Sequence, residues 1–231
     1  MVVRVLTPEV GAVSMLAKGV NRLKSGSLGI LDTWALVELE FGGRDGAEML
    51  NLYHCNLLDR MSGLSADQYR LAAAAVLAEL AELGSPPGQS SAPLFLWLQD
   101  HLDQLANGAP APSLLVTALL KGLKELGLEP NLDLPPGVDS SANLWFSPAS
   151  GGVVAPPDGA RPDVDARPLT ATTLALLKEL REHPEKHLTA NCGEVEQCLT
   201  ILGDFLHYHL ERPPKAWHLL HRLAARPLHR P

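Results

Sequence analysis

The fold prediction for this chain starts from residues 3–41, which read VRVLTPEVGAVSMLAKGVNRLKSGSLGILDTWALVELEF. The runs 2–7 and 12–17 are apolar and β-branched, and a turn containing proline and glycine separates them, which predicts a β-hairpin. Residues 18–29 are polar and rich in glycine and serine, which is typical of a loop. Residues 33–41 alternate apolar and polar side chains, as a strand does. Short strands joined by tight turns favour a small β-barrel.

Helical patterns replace the strand patterns after this region. A Ser-x-x-Gln spacing that begins at Ser65 predicts a capping box at the start of the first helix. Residues 129–168 lack periodicity and are rich in Pro, Gly, Asp and Ser, so we predict an irregular insert there. The predicted helices cover residues 65–83, 93–106, 112–126, 170–181, 191–210 and 215–223.

The chain is therefore predicted to be an α+β protein with four parts. These parts are a β-barrel at 1–61, a helical domain at 62–128, the Pro/Gly-rich insert at 129–168, and C-terminal helices at 169–231 that pack on the helical domain. No apolar run reaches the roughly 18 residues of a membrane span, and the N-terminus lacks the pattern of a secretory signal. Three cysteines at unrelated spacings predict no disulfide framework, so we expect a cytoplasmic protein.

The charge distribution is uneven. The net charge of −7 argues against coating DNA through bulk charge, but residues 1–30 hold four Lys or Arg and one Glu. Residues 211–231 hold five Lys or Arg and again one Glu. Because salt screens charges beyond roughly 10 Å, local cationic clusters of this kind suffice for phosphate contacts. Such clusters are also common on ordinary solvated surfaces.

Lys18, Arg22 and Lys24 in the glycine-rich loop are the strongest candidates for a binding site. A loop of cations can follow a phosphate backbone without reading base sequence. Arg4 adds a cation nearby, and Trp34 could stack on a base, although it could equally fill the barrel interior. A P-loop is excluded because Leu23 stands where that motif needs a glycine before the lysine.

No residue pattern predicts catalysis, a cofactor or a metal site. Cys192 and Cys198 are six residues apart, whereas a zinc-binding pair on one helix face is three or four apart. A histidine run follows near the C-terminus at His207, His209, His218, His221 and His229. Surface histidines that support an anionic contact explain this run better than a metal site does. We therefore predict that the protein is not an enzyme.

An ordered series of motifs along the chain resembles the RecO family of DNA-repair mediators. Near the N-terminus the resemblance rests on the turn at 6–11, the basic loop around Lys18, and Leu31-Asp32 before an apolar strand. Further matches follow at residues 119–130, 146–152 and 208–212.

The resemblance implies an OB-fold N-terminal domain that binds single- and double-stranded DNA in double-strand-break and gap repair. It further implies strand annealing, cooperation with RecR in loading RecA, and residence in the bacterial cytoplasm in association with the nucleoid. The family also binds the acidic, apolar C-terminal tail of single-strand-binding protein. The resemblance places this contact at Lys121 and Lys124.

The chain departs from the family pattern in two respects. Many members carry a four-cysteine zinc site, but the corresponding positions at 133–137, Ala155 and Asp158 contain no cysteine, so a degenerate, zinc-less insert is expected. Members also have a further strand before Val3, and without it we expect an uncovered sheet edge. An alternative function is a non-enzymatic adaptor with a barrel and a helical scaffold, and another is a metal-dependent hydrolase that uses the histidine run.

Overall fold

The protein is described from a computed structural model, which covers residues 1–17, 34–44, 47, 49–139, 142–156, 160–190 and 192–224. Its N-terminal part is a four-stranded sheet in the order β1-β2-β4-β3. β1 pairs antiparallel with β2, β2 pairs parallel with β4, and β3 pairs antiparallel with β4. The strands are β1 (Val2–Thr7), β2 (Gly11–Ala17), β3 (Leu36–Gly42) and β4 (Leu50–Asp59).

The first hairpin is confirmed. Val10 donates its backbone N–H to the Thr7 hydroxyl at 3.1 Å, and that hydroxyl donates to the Gly11 carbonyl at 3.2 Å. Gly11 has a φ of +71°, and an added Cβ there would lie 2.4 Å from the Pro86 carbonyl oxygen. Only glycine fits this position, because both the backbone conformation and the close approach exclude a side chain.

The described residues form an open sheet and not the closed barrel that the sequence predicted. Within the part of the chain that the structure describes, β1 pairs only with β2 and β3 pairs only with β4. The sheet therefore has two open edges, one on each terminal strand.

The sheet is anchored to the helical part through the loop that follows the first helix. Ala12 donates its backbone N–H to the Ser85 carbonyl at 2.9 Å. Ser91 donates its backbone N–H to the Pro8 carbonyl and its hydroxyl to the Thr7 carbonyl, each at 3.0 Å. These bonds fix the first hairpin against the helices because they satisfy backbone groups that the sheet leaves unpaired.

Six α-helices, two short 3₁₀ helices and a small sheet are the regular elements in the rest of the described chain. The third helix is at its centre and contacts the first, second, fourth and fifth helices. Its residues Leu114, Leu115, Leu119 and Leu123 are at most 1 % exposed, and each contributes about 1.5–3 kcal/mol by burial. The helices are α1 (Gln68–Leu83), α2 (Ala92–Ala106), α3 (Ala111–Glu125), α4 (Ala171–Glu182), α5 (Cys192–His209) and α6 (Ala216–Ala224).

Two tryptophans pack against glycines of neighbouring helices. The Trp97 ring of α2 covers Gly122 of α3, where an added Cβ would lie 2.5 Å from a ring carbon. The Trp217 ring of α6 covers Gly203 of α5 in the same way, at 2.4 Å. Each glycine thus allows a bulky ring to bring two helices close together.

The predicted capping box at Ser65 is wrong. Residues 62–66 form a 3₁₀ turn, and Asp67 is the N-cap of α1. Its carboxylate accepts a hydrogen bond from the Arg70 backbone N–H at 2.7 Å. Aspartate and serine are about equally good N-cap residues. Asp67 therefore caps α1 in place of Ser65.

The insert at 129–168 is more regular than predicted. It contains a three-stranded antiparallel sheet in the order β6-β5-β7. Phe146 of β5 is fully buried and its ring meets the Phe205 ring of α5 at 5.8 Å. The strands are β5 (Leu144–Ser147), β6 (Gly152–Val154) and β7 (Arg167–Leu169).

Candidate nucleic-acid interface

The three loop cations Lys18, Arg22 and Lys24 lie outside the described residues. The described chain stops at Ala17, the last residue of β2, and resumes at Trp34, two residues before β3. The sequence prediction for the loop therefore stays a prediction, and the structure describes only its two flanks.

Arg4 lies on β1, and its charge is paired with that of Glu82. Its Nε is 2.5 Å from the Glu82 carboxylate of α1, and its Nη1 donates to the Ser14 hydroxyl at 3.2 Å. Both partners of the ion pair are about half exposed, 51 % for Arg4 and 45 % for Glu82. Arg4 thus joins the sheet to α1, and a phosphate contact there would compete with Glu82.

Trp34 lies two residues before β3 and is half-buried, at a backbone φ of +66°. It lines a groove of about 890 Å³, which we call the β1–β3 groove. Residues of β1 and β3 line this groove together with residues of α1 and α2. The principal apolar lining residues are Val3, Val5, Leu36, Leu39, Phe41 and Leu98.

Lys121 and Lys124 are exposed near the C-terminal end of α3. Lys124 is in the last turn, where a cation stabilises the helix by interacting with the unpaired carbonyl groups. Both ammonium groups remain available to an anionic partner, since neither has a salt bridge among the described residues.

A second cationic surface is formed by α6 and the residues just before it. Arg212, Lys215 and Arg222 are exposed, and so are His218 and His221. The His218 ring meets the exposed His207 ring of α5 at 5.9 Å, so these two members of the histidine run and His221 are on the surface, as predicted. We call this surface the α6 face. His209 is instead half-buried, with its ring 4.2 Å from the Phe205 ring, and His229 lies outside the described residues.

Comparison with known proteins decides the family. The family model for the C-terminal part of recombination protein O matches residues 65–218. A DNA repair protein RecO from Anaeromyxobacter sp. (strain K) is 32 % identical over 97 % of this chain and 87 % of its own length. This chain belongs to the RecO family.

Two further relatives extend the comparison to other bacterial groups. The DNA repair protein RecO of Pelotomaculum thermopropionicum is 29 % identical over 95 % of this chain and 86 % of its own length. That of Streptomyces griseus is 28 % identical over 91 % of this chain and 88 % of its own length. The match to the RecO family model includes Lys121, Lys124 and part of the α6 face, whereas the N-terminal sheet precedes it.

The two described thiols, Cys55 and Cys198, are buried and have raised pKa values, which disfavours the thiolate that acts as nucleophile and metal ligand. Burial, with a smaller contribution from Glu194, raises the pKa of Cys198 to about 12, and burial also raises the pKa of Cys55. The described residues contain no group of three His, Cys, Asp or Glu side chains placed to hold a metal ion. None of the described helices is long and apolar enough to cross a membrane.

Sequence reasoning missed two buried histidines beside the third helix. His101 of α2 is 2 % exposed, and its Nδ1 lies 2.6 Å from the Trp97 carbonyl oxygen. His187 is 5 % exposed and its Nε2 has no hydrogen-bond partner among the residues that the structure describes. Burial lowers the pKa of His101, which favours the neutral ring. Nothing in the spacing of either residue distinguishes it from a surface histidine.

Proposed function

We propose that this chain binds single- and double-stranded DNA and mediates recombinational repair without catalysing a reaction. Membership of the RecO family over nearly the whole chain carries this proposal. The cations of the 18–29 loop and of the α6 face supply the physical means, because each cation that neutralises a phosphate releases a condensed counterion. Holding two strands side by side on these surfaces lets complementary bases pair, which is annealing.

The proposal includes partners as well as DNA. RecR would act with this chain in loading RecA at gaps and double-strand breaks. Lys121 and Lys124 would bind the acidic carboxylates of the single-strand-binding protein tail, at the end of a helix whose neighbouring residues Leu120 and Leu123 are buried. These contacts would occur in the bacterial cytoplasm at the nucleoid.

The N-terminal sheet would be the DNA-binding OB domain. An OB-fold is a five-stranded, partly open Greek-key barrel, and support for it comes from the four described strands, of which β1 and β3 both line the β1–β3 groove. Trp34 lies shortly after the 18–29 loop and is only half-buried, so it could stack on an unpaired base. Arg4 would contribute only where a phosphate displaces Glu82.

A salt titration of a triple variant tests the loop. Replacing Lys18, Arg22 and Lys24 with alanine should weaken binding to a labelled 40-nucleotide single strand. It should also reduce the slope of log K against log[salt] by about 2, since each phosphate contact on single strands contributes about 0.7. The matched control replaces Lys178, Arg181 and Lys186 of the α4 region, which changes the net charge equally. Equal slopes for the two variants would contradict the loop assignment.

A protein–protein adaptor is the second candidate. The net charge of −7 and the neutralisation of Arg4 by Glu82 favour it. Retention on a DNA column at moderate salt distinguishes the two functions, because an adaptor of this charge would elute in the void volume.

A further inference from the structure

The close approach of α5 and α6 brings two histidine rings together at the α6 face. Trp217 of α6 covers Gly203 of α5 so tightly that an added Cβ on this glycine would lie 2.4 Å from a ring carbon. One turn after Gly203, the His207 ring meets the His218 ring with 5.9 Å between the ring centroids and an angle of 68° between the planes. Both histidines are exposed. We call them the histidine pair, and its spacing is set by the buried contact beneath it.

A backbone hydrogen bond fixes the tautomer of His207. Its Nδ1–H donates to the Gly203 carbonyl oxygen at 2.8 Å, and a carbonyl oxygen can only accept. In the neutral ring, Nε2 therefore carries no hydrogen and is an acceptor, as a phosphate oxygen is. Protonation turns Nε2 into a donor and gives the ring a positive charge. His207 can therefore bind a phosphate through Nε2 only in its protonated form.

The permanent charges on the α6 face favour an anion beside the histidine pair. Arg212, Lys215 and Arg222 are exposed, and none of them has a salt bridge to another described residue. The remaining titratable ring of this face is that of His221, which meets the Trp217 ring at 5.7 Å. An anion at this face would thus meet three cations in addition to the histidines.

The acidic groups on the elements around the histidine pair are mostly engaged elsewhere. The Glu79 carboxylate of α1 accepts hydrogen bonds from the first N–H groups of α6. Glu82 of α1 forms an ion pair with a cation of β1, and Asp204 of α5 forms one with a cation of β7. Glu211, which follows α5, is exposed. It is one negative charge against the three cations of the α6 face.

We propose that protonated His207 and His218 together bind a backbone phosphate of DNA, so that DNA binding at the α6 face is coupled to proton uptake. The inference rests on the proposed function, to which it adds two binding residues and the protonation state in which they act. A phosphodiester keeps its negative charge between pH 6 and pH 8, whereas this is the range in which imidazole changes charge. Affinity should therefore rise on acidification. A metal ion bridging the two rings would need neutral imidazoles and would act in the opposite direction.

Anisotropy titrations of the full 231-residue chain with a single-stranded 40-nucleotide probe test this coupling. They are made at pH 8 and pH 6, at one ionic strength, with EDTA and with a dye that is insensitive to pH in this range. The affinity of the unmodified chain should rise about fivefold or more from pH 8 to pH 6, because the complex takes up protons. The double variant His207→Gln with His218→Gln should lose most of this rise. The control, His54→Gln with His183→Gln, removes two other exposed histidines and should retain it.

The possible results separate this inference from the proposed function. An equal rise in the double variant and the control would overturn the inference and leave DNA binding intact. No binding at either pH would overturn both. Affinity that falls on acidification, and does so only without EDTA, would assign the histidine pair to a metal ion instead.

The salt dependence shows whether the protons act through phosphate contacts. For the unmodified chain, the slope of log K against log[salt] should be steeper at pH 6 than at pH 8 by up to about 1.4, since each of two added cations contributes about 0.7 on single strands. The double variant should lose this difference. Equal slopes at the two pH values in the unmodified chain would overturn the inference.

Nuclear magnetic resonance of the unmodified chain provides a test that needs no stable variant. The imidazole signals of ¹⁵N-labelled protein are followed through a pH titration, with and without an eight-residue oligothymidylate. The oligonucleotide should move the titration midpoints of His207 and His218 to higher pH, and that of His183 should not change. Midpoints of His207 and His218 that the oligonucleotide leaves unchanged would overturn the inference.

Discussion

Glu79 of α1 accepts a hydrogen bond from the backbone N–H of Lys215 at 2.5 Å, across 136 residues of sequence. Its other carboxylate oxygen accepts from the Ala216 N–H at 3.3 Å. The first N–H groups of a helix have no partner within the helix, so Glu79 acts as the N-cap of α6 from another element. The orientation of the α6 face relative to the helical core therefore depends on this carboxylate.

We expect Glu79→Ala to lower the free energy of unfolding by about 1 kcal/mol, the usual effect of losing a helix cap. The control is Glu129→Ala, which removes an exposed glutamate from a loop. Urea denaturation of both variants measures the difference. Identical midpoints for the two would show that Glu79 does not cap α6.

Gly203→Ala should destabilise the protein by about 1–3 kcal/mol, since the added methyl would overlap the Trp217 ring. The double variant Gly203→Ala with Trp217→Leu should lose less than the sum of the single losses, because the smaller side chain makes room. A thermodynamic cycle from denaturant titrations gives this coupling. Additive losses would mean that the two residues do not constrain each other.

The buried His101 predicts acid sensitivity. Its pKa is lowered from 6.5, first by burial, while Asp100 and the Trp97 carbonyl act in the opposite direction and Lys121 and His187 reinforce the lowering. Above about pH 6.5 the His101 ring is neutral in both the folded and the unfolded chain, so its titration does not lower the free energy of unfolding. As the pH falls below that value, the unfolded chain takes up a proton that the folded chain resists, and the stability decreases.

The variant His101→Gln should therefore lose less stability than the wild type between pH 7 and pH 5, whatever its stability at pH 7. Unfolding free energies at the two pH values measure this difference. Parallel pH profiles would assign the acid sensitivity to other groups.

Lys121→Ala with Lys124→Ala should weaken binding of an acidic, apolar peptide that imitates the tail of single-strand-binding protein. The expected loss is several-fold, because two exposed ion pairs contribute about 0.2–1 kcal/mol each. Lys178→Ala with Lys186→Ala is the charge-matched control. If both double variants bind the peptide equally, the tail site lies elsewhere.

The local sequence predicted those elements whose signals are local. The hairpin of β1 and β2 follows from its apolar runs and from Gly11, and the end of α3 follows from Gly127, whose φ is +72°. The predicted helix bounds agree with those of the structure within a few residues, because proline or an N-cap residue begins most of the helices and glycine ends several.

Contacts between distant segments could not be predicted in this way. β6 and β7 have three residues each, which is too short for a periodic pattern. The bonds between Glu79 and α6, and the open edges of β1 and β3, depend on tertiary placement. The same holds for Arg4, which the sequence presents as a free cation and the structure pairs with Glu82.

The proposed function depends most directly on whether the purified chain binds DNA through phosphate charge. An anisotropy titration with a single-stranded 40-nucleotide probe, repeated from 20 to 200 mM salt, measures this. We predict binding at low salt that weakens steeply and linearly on logarithmic axes as the salt concentration rises. No binding even at 20 mM salt, or an affinity independent of salt, would contradict the account.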